Sequence, residues 1–311
     1  VILTVTPNPA LDVTYRVAGL TVDAVNRVAG TDARAGGKGI NVARVLHALG
    51  VPATALGFAG GRDGDALRAG LDARGIAHDL VATRGETRRT VAVVDPAAGT
   101  VTLLNEPGPV ITESEWTALR DRVESRLPGA SVLVLSGSLP RGLPDDAYAM
   151  LVRQAERHGV PVVLDADGVA LRQAVPAGPR VVKPNAAELA GATGLPGLEA
   201  GARLLRRDGA HAVVVSDGPR GLYADTPDGS WRAVPPRVVG GNPTGAGDAA
   251  VAALAVGLAE GWDWPRTLAH AAALSAAAAT APLAGQVELA AYHDNLGRVS
   301  LRAGEEAPQC R

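Results

Sequence analysis

Six short runs dominated by β-branched and other apolar residues punctuate this chain: "VILTV" at 1, "ATALGFA" at 53, "SVLVLSG" at 131, "PVVLDA" at 161, "RVVKPN" at 180 and "AVVVSDG" at 212. Helical patterns lie between them. Residues 41–49 put Val42, Val45, Leu46 and Leu49 on one face, and residues 145–158 and 198–208 behave similarly. The runs are continuously apolar, so both faces of each strand must be covered. Such strands alternating with helices predict a parallel sheet with helices on both sides. Ligands in these sheets sit beyond the carboxyl ends of the strands. That rule singles out "SGSLPRG", "DADG", "KPNAAE" and "SDGPRG", each directly after a run.

Two regions break the alternation. Residues 12–35 and 85–105 read as short antiparallel strands, with a turn at "DPAAGT". They are insertions into an α/β core made of residues 1–11, 36–84 and 106–311. A small sheet grafted on such a core is suited to act as a lid; the alternative is an edge extension that completes packing or forms a dimer contact.

Bulk properties narrow the function. The 311 residues are 47% apolar and 20% charged with a net charge of -2, and no basic block suggests a nucleic acid partner. Aromatics, at 3%, are too scarce for a base-stacking platform. The one cysteine, Cys310, cannot form an internal disulfide, so the cytoplasm is the expected compartment and cysteine chemistry is excluded. No two of the six histidines lie three to five residues apart, so no zinc helix motif occurs. The start, "VILTVTPNPALD", reads as a strand and not a signal peptide. The alanine-rich stretch "LAHAAALSAAAATAPLAG" reads as a buried helix and not a membrane span.

Three stretches carry chemistry. In "AGGKGINVARVLHALG", Gly36, Gly37 and Gly39 let a ligand approach the backbone, Lys38 sits among them, and Asn41 opens a helix whose N-terminus favours anions; a tight turn with Asn41 as N-cap is the alternative. In "NPTGAGD", Gly245, Ala246 and Gly247 form a nest of N–H groups at a helix start, able to hold a developing phosphoryl charge. Asp248 falls in the first turn, where the helix dipole favours its ionised form. It can accept the proton of an attacking hydroxyl, or it can simply tune a helix start. In "KPNAAE", Asn185 and Glu188 stand at i and i+3, a spacing that suits oxygen ligation of magnesium through water and equally suits a capping box. "SDGPRG" can lay a nucleotide against its glycines or be a plain turn. "SGSLPRG" adds hydroxyls and Arg141 at a strand end, and Arg88 and Arg89 in "GETRRT" put guanidiniums on the small sheet, where one can grip a phosphate.

Taken in order along nearly the whole chain, "TPNPALD", "GGKGINVARVL", "GETR", "SGSLPRG", "KPNAAEL", "SDGPRG" and "NPTGAGD" resemble the phosphofructokinase-B family, the hexose-phosphate kinases of the ribokinase superfamily. The resemblance implies a ribokinase-like α/β fold: a mostly parallel, Rossmann-like sheet flanked by helices, with a small antiparallel β-sheet lid that dimerises. It implies ATP and Mg2+, a small phosphosugar substrate, and neither nucleic acid nor membrane as partner. Asp248 corresponds to the catalytic base, and Gly245, Ala246 and Gly247 to the anion hole. Asp12, Gly37, Lys38 and Asn41 correspond to the sugar side, with Arg88 and Ser138 on the phosphate the substrate already carries. Asn185 and Glu188 match the magnesium-linked pair, acting through water. Lys183 and Asn185, with Ser216, Gly218 and Gly221, fall on the nucleotide side. The chain departs from the family where Ala249 and Ala250 follow the base in place of serine, and where Asp217 replaces leucine in the nucleotide loop and is expected to point to solvent. The motifs are closest to 1-phosphofructokinases and tagatose-6-phosphate kinases and leave the phosphosugar open. A kinase for an unphosphorylated sugar or nucleoside on the same fold, and a non-catalytic sugar-phosphate sensor, are the other readings.

Overall fold

The computed structural model describes residues 1–236, 244–281 and 283–304. Cys310 and residues 240–243 of the glycine-rich stretch lie outside them. The strands are β1 (Ile2–Thr6), β2 (Ala10–Val17), β3 (Val28–Gly36), β4 (Ala53–Gly60), β5 (His78–Thr83), β6 (Arg88–Asp95) and β7 (Thr100–Asn105). They continue with β8 (Val132–Ser136), β9 (Val162–Asp165), β10 (Val181–Val182), β11 (Val213–Ser216), β12 (Leu222–Thr226), β13 (Gly229–Val234) and β14 (Ser300–Ala303). All six apolar runs are strands of one large sheet, ordered β14-β13-β12-β11-β10-β9-β8-β1-β4-β5. From β11 to β5 the pairing is parallel; β12, β13 and β14 extend the β11 edge antiparallel. These last three strands and β5 mix polar and apolar residues, so they give no continuous apolar run to read.

Alternation within the central strands sends neighbouring side chains into two cores. Leu3, Val5, Leu133, Leu135 and Leu164 pack on one face with Trp116, Leu119 and Val123 of helix Glu113–Arg126. Ile2, Val132, Val134 and Val163 pack on the other with Val42, Val45 and Leu46 of helix Lys38–Ala48. Burying each such leucine or valine contributes about 1.5–3 kcal/mol. The second core also takes helices Ala246–Ala259 and Trp264–Thr280, whose buried faces are mostly alanine. The late alanine-rich stretch is therefore a core helix, and among the described residues no helix is long and apolar enough to cross a membrane.

Residues 12–35 and 85–105 supply nearly all of a separate four-stranded sheet, ordered β3-β2-β6-β7. It consists of two antiparallel hairpins, β2–β3 and β6–β7, joined by a parallel β2–β6 pairing. The "DPAAGT" turn closes as the sequence suggests. Asp95 Oδ1 accepts the Ala97 and Ala98 N–H groups at 3.1 and 3.2 Å, and Oδ2 accepts Leu20 N–H at 2.9 Å, tying one hairpin to the other.

Candidate active site

A cavity of about 640 Å³ lies between the small sheet and the carboxyl ends of the central strands. The period of two selects which residues of the small sheet face it. On β6, Arg88, Thr90, Ala92 and Val94 line the cavity, while Arg89 points the other way and pairs with Asp63. The two neighbouring arginines of "GETRRT" are thereby separated, and only Arg88 remains available to a ligand in the cavity. Its Nε and Nη1 donate to the carbonyls of Asn8 and Glu106 at 3.2 Å each. On β2, Asp12 stands opposite Arg34 of β3 and Thr90 of β6. Gly36 makes room for it: a Cβ there would come within 2.2 Å of the Asp12 carboxylate. Burial pushes the Asp12 carboxyl above its usual range, although Arg34, Arg44 and Arg88 pull against it.

The core side presents Gly37, Lys38, Asn41, Asp165, Lys183, Asn185, Glu188, Ser216, Gly245, Gly247 and Asp248. Helix Lys38–Ala48 starts three residues before Asn41, with Gly37 as N-cap, so the expectation that Asn41 opens or caps the helix is corrected. Glycines 36, 37 and 39 impose little side-chain bulk, and the helix can begin inside the glycine run. Asn41 is instead free to turn inward, and its Nδ2 donates to Asp248 Oδ2 at 2.8 Å.

Asp248 lies in the first turn of helix Ala246–Ala259 without capping it. The N-cap is Gly245, left-handed at φ 91°, which has no side chain to cap this end. A side chain at Gly245 is blocked twice, by that φ and by Ala284 and Gly285, which a Cβ would meet at 2.8 Å. The first N–H groups of the helix thus have no intrahelical acceptor. At Gly247 a Cβ would stand 3.4 Å from Lys183 Nζ, so the bare backbone leaves this ammonium beside the helix start. The helix dipole does not decide the protonation of Asp248, as the sequence suggests it should. Burial and the nearby Asp165 carboxylate raise its pKa to about 6, against the Asn41 hydrogen bond and the Lys38 and Lys183 charges. The reason is depth: only 6% of the residue is exposed.

Asp165, at the end of β9, is the residue whose importance the sequence does not announce. The strand-end rule picks out "DADG", but nothing local assigns it a role. Its carboxylate is buried and receives Ser136 Oγ at 3.2 Å, Lys38 Nζ at 3.5 Å and Lys183 Nζ at 3.6 Å. Burial opposes its ionisation, but the two ammoniums outweigh this and hold its pKa below the ordinary value. Both lysine contacts are longer than a tight charge-assisted bond of about 2.7–2.9 Å, so an arriving phosphate can compete for either ammonium. The Lys38 ammonium is held charged by Asp165, Glu188, Asp248 and Asp167 despite its own burial.

Asn185 and Glu188 form a complete capping box. Asn185 Oδ1 accepts Glu188 N–H, and Glu188 Oε2 accepts Asn185 N–H, each at 2.8 Å. Both still line the cavity, and Glu188 Oε1 lies 3.6 Å from Lys38 Nζ. Among the described residues no group of three His, Cys, Asp or Glu side chains could cage a metal. The donor set fits a magnesium ion that keeps its waters and leans on ligand phosphates, with Glu188 one of the cavity carboxylates that can sit beside it. It does not fit a cation held by protein alone.

Four residues assigned from the sequence are outside the cavity lining. Ala246 opens helix Ala246–Ala259 between Gly245 and Gly247, which do line it. Ser138 is exposed and accepts a hydrogen bond from Asn8 Nδ2 at 3.1 Å; through Asn8 it is linked to Arg88. Gly218 begins a short 3-10 turn, and Gly221 packs against β13, where a Cβ would meet Ala233 O at 2.2 Å. Asp217 does not point to solvent. It is buried, and Arg220 grips both carboxylate oxygens at 2.7 Å, which lowers its pKa and closes the turn. Ser216 does line the cavity, at the end of β11.

Residues 7–289 match the family described as pfkB family carbohydrate kinase. Among solved structures, the chain is similar to phosphofructokinase-2 from Escherichia coli in complex with potassium, at 30% identity and a TM-score of 0.91, over 96% of this chain and 98% of that one. Another structure of that enzyme is in complex with fructose-6-phosphate, and a further one is a tetrameric inhibited form. A possible 1-phosphofructokinase from Thermotoga maritima is 28% identical with a TM-score of 0.89, over 98% of this chain and 99% of that one. Ribokinase from Arabidopsis thaliana, complexed with ribose and ATP, is 20% identical with a TM-score of 0.74, over 95% and 98% of the two chains. At that identity the likeness is one of fold, and the expected ribokinase-like α/β architecture is borne out.

Proposed function

This chain belongs to the pfkB family of carbohydrate kinases, and we propose that it transfers the γ-phosphoryl group of ATP to a ketohexose monophosphate, with Asp248 as general base. The candidate acceptors are fructose 1-phosphate, tagatose 6-phosphate and fructose 6-phosphate. One observation carries the reading: a buried carboxylate, its pKa raised to about 6, faces the cavity at the start of a helix whose N-cap is a glycine. A base needs a proton affinity near the working pH and a fixed position, and this residue has both.

In this reading the free primary hydroxyl of the sugar attacks the γ-phosphorus, the bond to the bridging oxygen of ADP breaks, and Asp248 takes the hydroxyl proton. The first N–H groups of helix Ala246–Ala259 and the Lys183 ammonium stabilise the transferring group. Lys38 and Asn41 orient the sugar with Asp12, and Arg88 holds the phosphate it already carries, with Ser138 on the same side. Ser216 borders the nucleotide, and the turn at Gly218 and Gly221 shapes its rim. Magnesium, when bound beside Glu188 and Asn185, offsets the charge of the ATP phosphates. Residues 12–35 and 85–105 act as the lid over a core of residues 1–11, 36–84 and 106–311, excluding water from the reaction. The exposed apolar side chains Val22 and Val25, in the connection between β2 and β3, and Leu104, on β7, suit a homodimer formed through that sheet. The single cysteine in the sequence supports the cytoplasm as the enzyme's compartment.

The test is ADP release with the three phosphosugars, their unphosphorylated parents, ribose and adenosine. A phosphosugar is expected to exceed its bare parent in kcat/KM by about a hundredfold or more, because charge-assisted bonds to a phosphate contribute about 1.5–3 kcal/mol each. Preference for a bare sugar or nucleoside would overturn the substrate class, and binding without ADP release would leave a sensor.

The pH profile follows from the same carboxylate. Asp248 works as a base only when ionised, so kcat is expected to rise with pH through about 6 and level off above it. A steady-state profile from pH 5 to 8 checks this; a rate that stays flat down to pH 5 contradicts it.

A further inference from the structure

Arg44, on the buried face of helix Lys38–Ala48, is a guanidinium that no carboxylate contacts among the described residues, and it is 6% exposed. Nη1 donates to Asn41 Oδ1 at 2.9 Å and to Ala284 O at 3.2 Å, and Nη2 donates to Ala35 O at 2.5 Å. Its Nε is buried with no partner. Burial, with Arg34 and Arg74 nearby, lowers its pKa to about 10, so it stays charged at neutral pH. An interior charge without a bonded counter-ion and with an idle donor is a poor way to stabilise a fold.

Its geometry suits another task. An asparagine amide has one accepting end and one donating end, and a guanidinium only donates. Arg44 therefore holds Asn41 Oδ1 toward itself, which leaves Nδ2 facing Asp248 Oδ2 at 2.8 Å. The flipped amide would set donor against donor at Arg44 and oxygen against carboxylate at Asp248. The same guanidinium pins the Ala284 carbonyl, and Ala284 packs behind Gly245 at the helix start.

We propose that Arg44 is a positioning residue for Asp248, acting through the Asn41 amide: it locks that amide in the one orientation that donates to the carboxylate, and it anchors the segment behind the anion-binding helix start. The inference rests on Asp248 being the base. The other charged groups facing Asp248 are Lys38 from the helix that carries Arg44, Asp165 at the end of β9 and Lys183 after β10; Asp12, Arg34 and Arg88 face the cavity from the small sheet. None of these touches the Asn41 oxygen through a hydrogen bond; Arg44 does.

The test compares Arg44→Met, Arg44→Lys and Asp248→Asn by kcat over pH 5 to 8, with thermal melts to confirm folding. In Arg44→Met the acid limb is expected to move up by about one pH unit, since the carboxylate loses an oriented donor. The plateau kcat is expected to fall about tenfold from misplacement, with KM for ATP unchanged. Arg44→Lys, which keeps a charged donor, is expected to hold the limb closer to wild type. In an Asn41→Leu background, Arg44→Met is expected to add no further shift. A folded Arg44→Met whose limb stays in place overturns the proposal, as does an equal shift with and without Asn41, which would make Arg44 a distant charge only. Should Arg44→Met not fold, Arg44→Gln takes its place with the same limits. Retained turnover in Asp248→Asn overturns the base assignment and this inference together; an inactive Asp248→Asn with an unmoved Arg44→Met limb overturns this inference alone.

Discussion

Asp248→Asn is expected to lower kcat about a thousandfold, within the range that a positioned general base supplies, while the affinity for ATP persists. The replacement keeps the shape and can still accept the Asn41 Nδ2 hydrogen bond, but it cannot take a proton. The groups proposed to bind the nucleotide, namely the helix start, Lys183 and the neighbourhood of Ser216, are untouched. Near-normal turnover in this variant ends the assignment. A second readout comes from stability. The folded-state pKa of Asp248, about 6, lies above the value of 3.8 for a free carboxyl. The folded protein therefore binds the extra proton, and this carboxyl's contribution to stability is fully present below about pH 4 and lost as pH rises through 6. At pH 7 to 8 the buried charge costs at most about 3 kcal/mol, which the neutral amide removes. Asp248→Asn should thus melt at a higher temperature than wild type at pH 8, with the gap closing toward pH 4. A variant that is less stable at pH 8 would show that Lys38 and Lys183 need this charge more than its burial penalises it.

Arg88→Ala is expected to raise KM for the phosphosugar by about a hundredfold, with KM for ATP unchanged, since an arginine–phosphate contact comprises two charge-assisted bonds. Arg88 is held at 3.2 Å by two backbone carbonyls, of Asn8 and Glu106, and among the described residues by no carboxylate. Its charge is therefore placed but not neutralised by a bonded partner. Its neighbour is the internal control. Arg89 is paired with Asp63 on the opposite face of β6, so Arg89→Ala should leave both KM values near wild type. A change confined to ATP in Arg88→Ala would move this residue to the nucleotide side.

The sorting of these two arginines shows what kind of information each level holds. That β6 is a strand, and that alternate residues face opposite ways, is readable in "TRRTVAVV". Which of the two faces covers the cavity depends on the β2–β6 register, with Ala10 beside Arg88, and no local pattern specifies that. The six apolar runs, the inserted sheet and the strand-end motifs were legible for the same reason as β6: burial period and turn chemistry are local properties. The failures were also physical. Asn41 looked like a cap because it is a capping residue type at a plausible place, yet the glycine run lets the helix start earlier. Asp217 looked solvated because an acid in a turn is usually solvated, yet Arg220 folds back over it.

The sequence by itself determined the layered α/β fold, the ends of the strands where a ligand belongs, and the residue types that congregate there. Only the tertiary structure decided that Asp165 stands between two lysines, that Arg44 orients Asn41, and that burial rather than the helix dipole governs Asp248. These depend on partners separated by up to 240 residues along the chain, and on the solvent that folding removes. Electrostatics in a site is a property of who is near and how dry the place is, and both exist only once the chain has closed on itself.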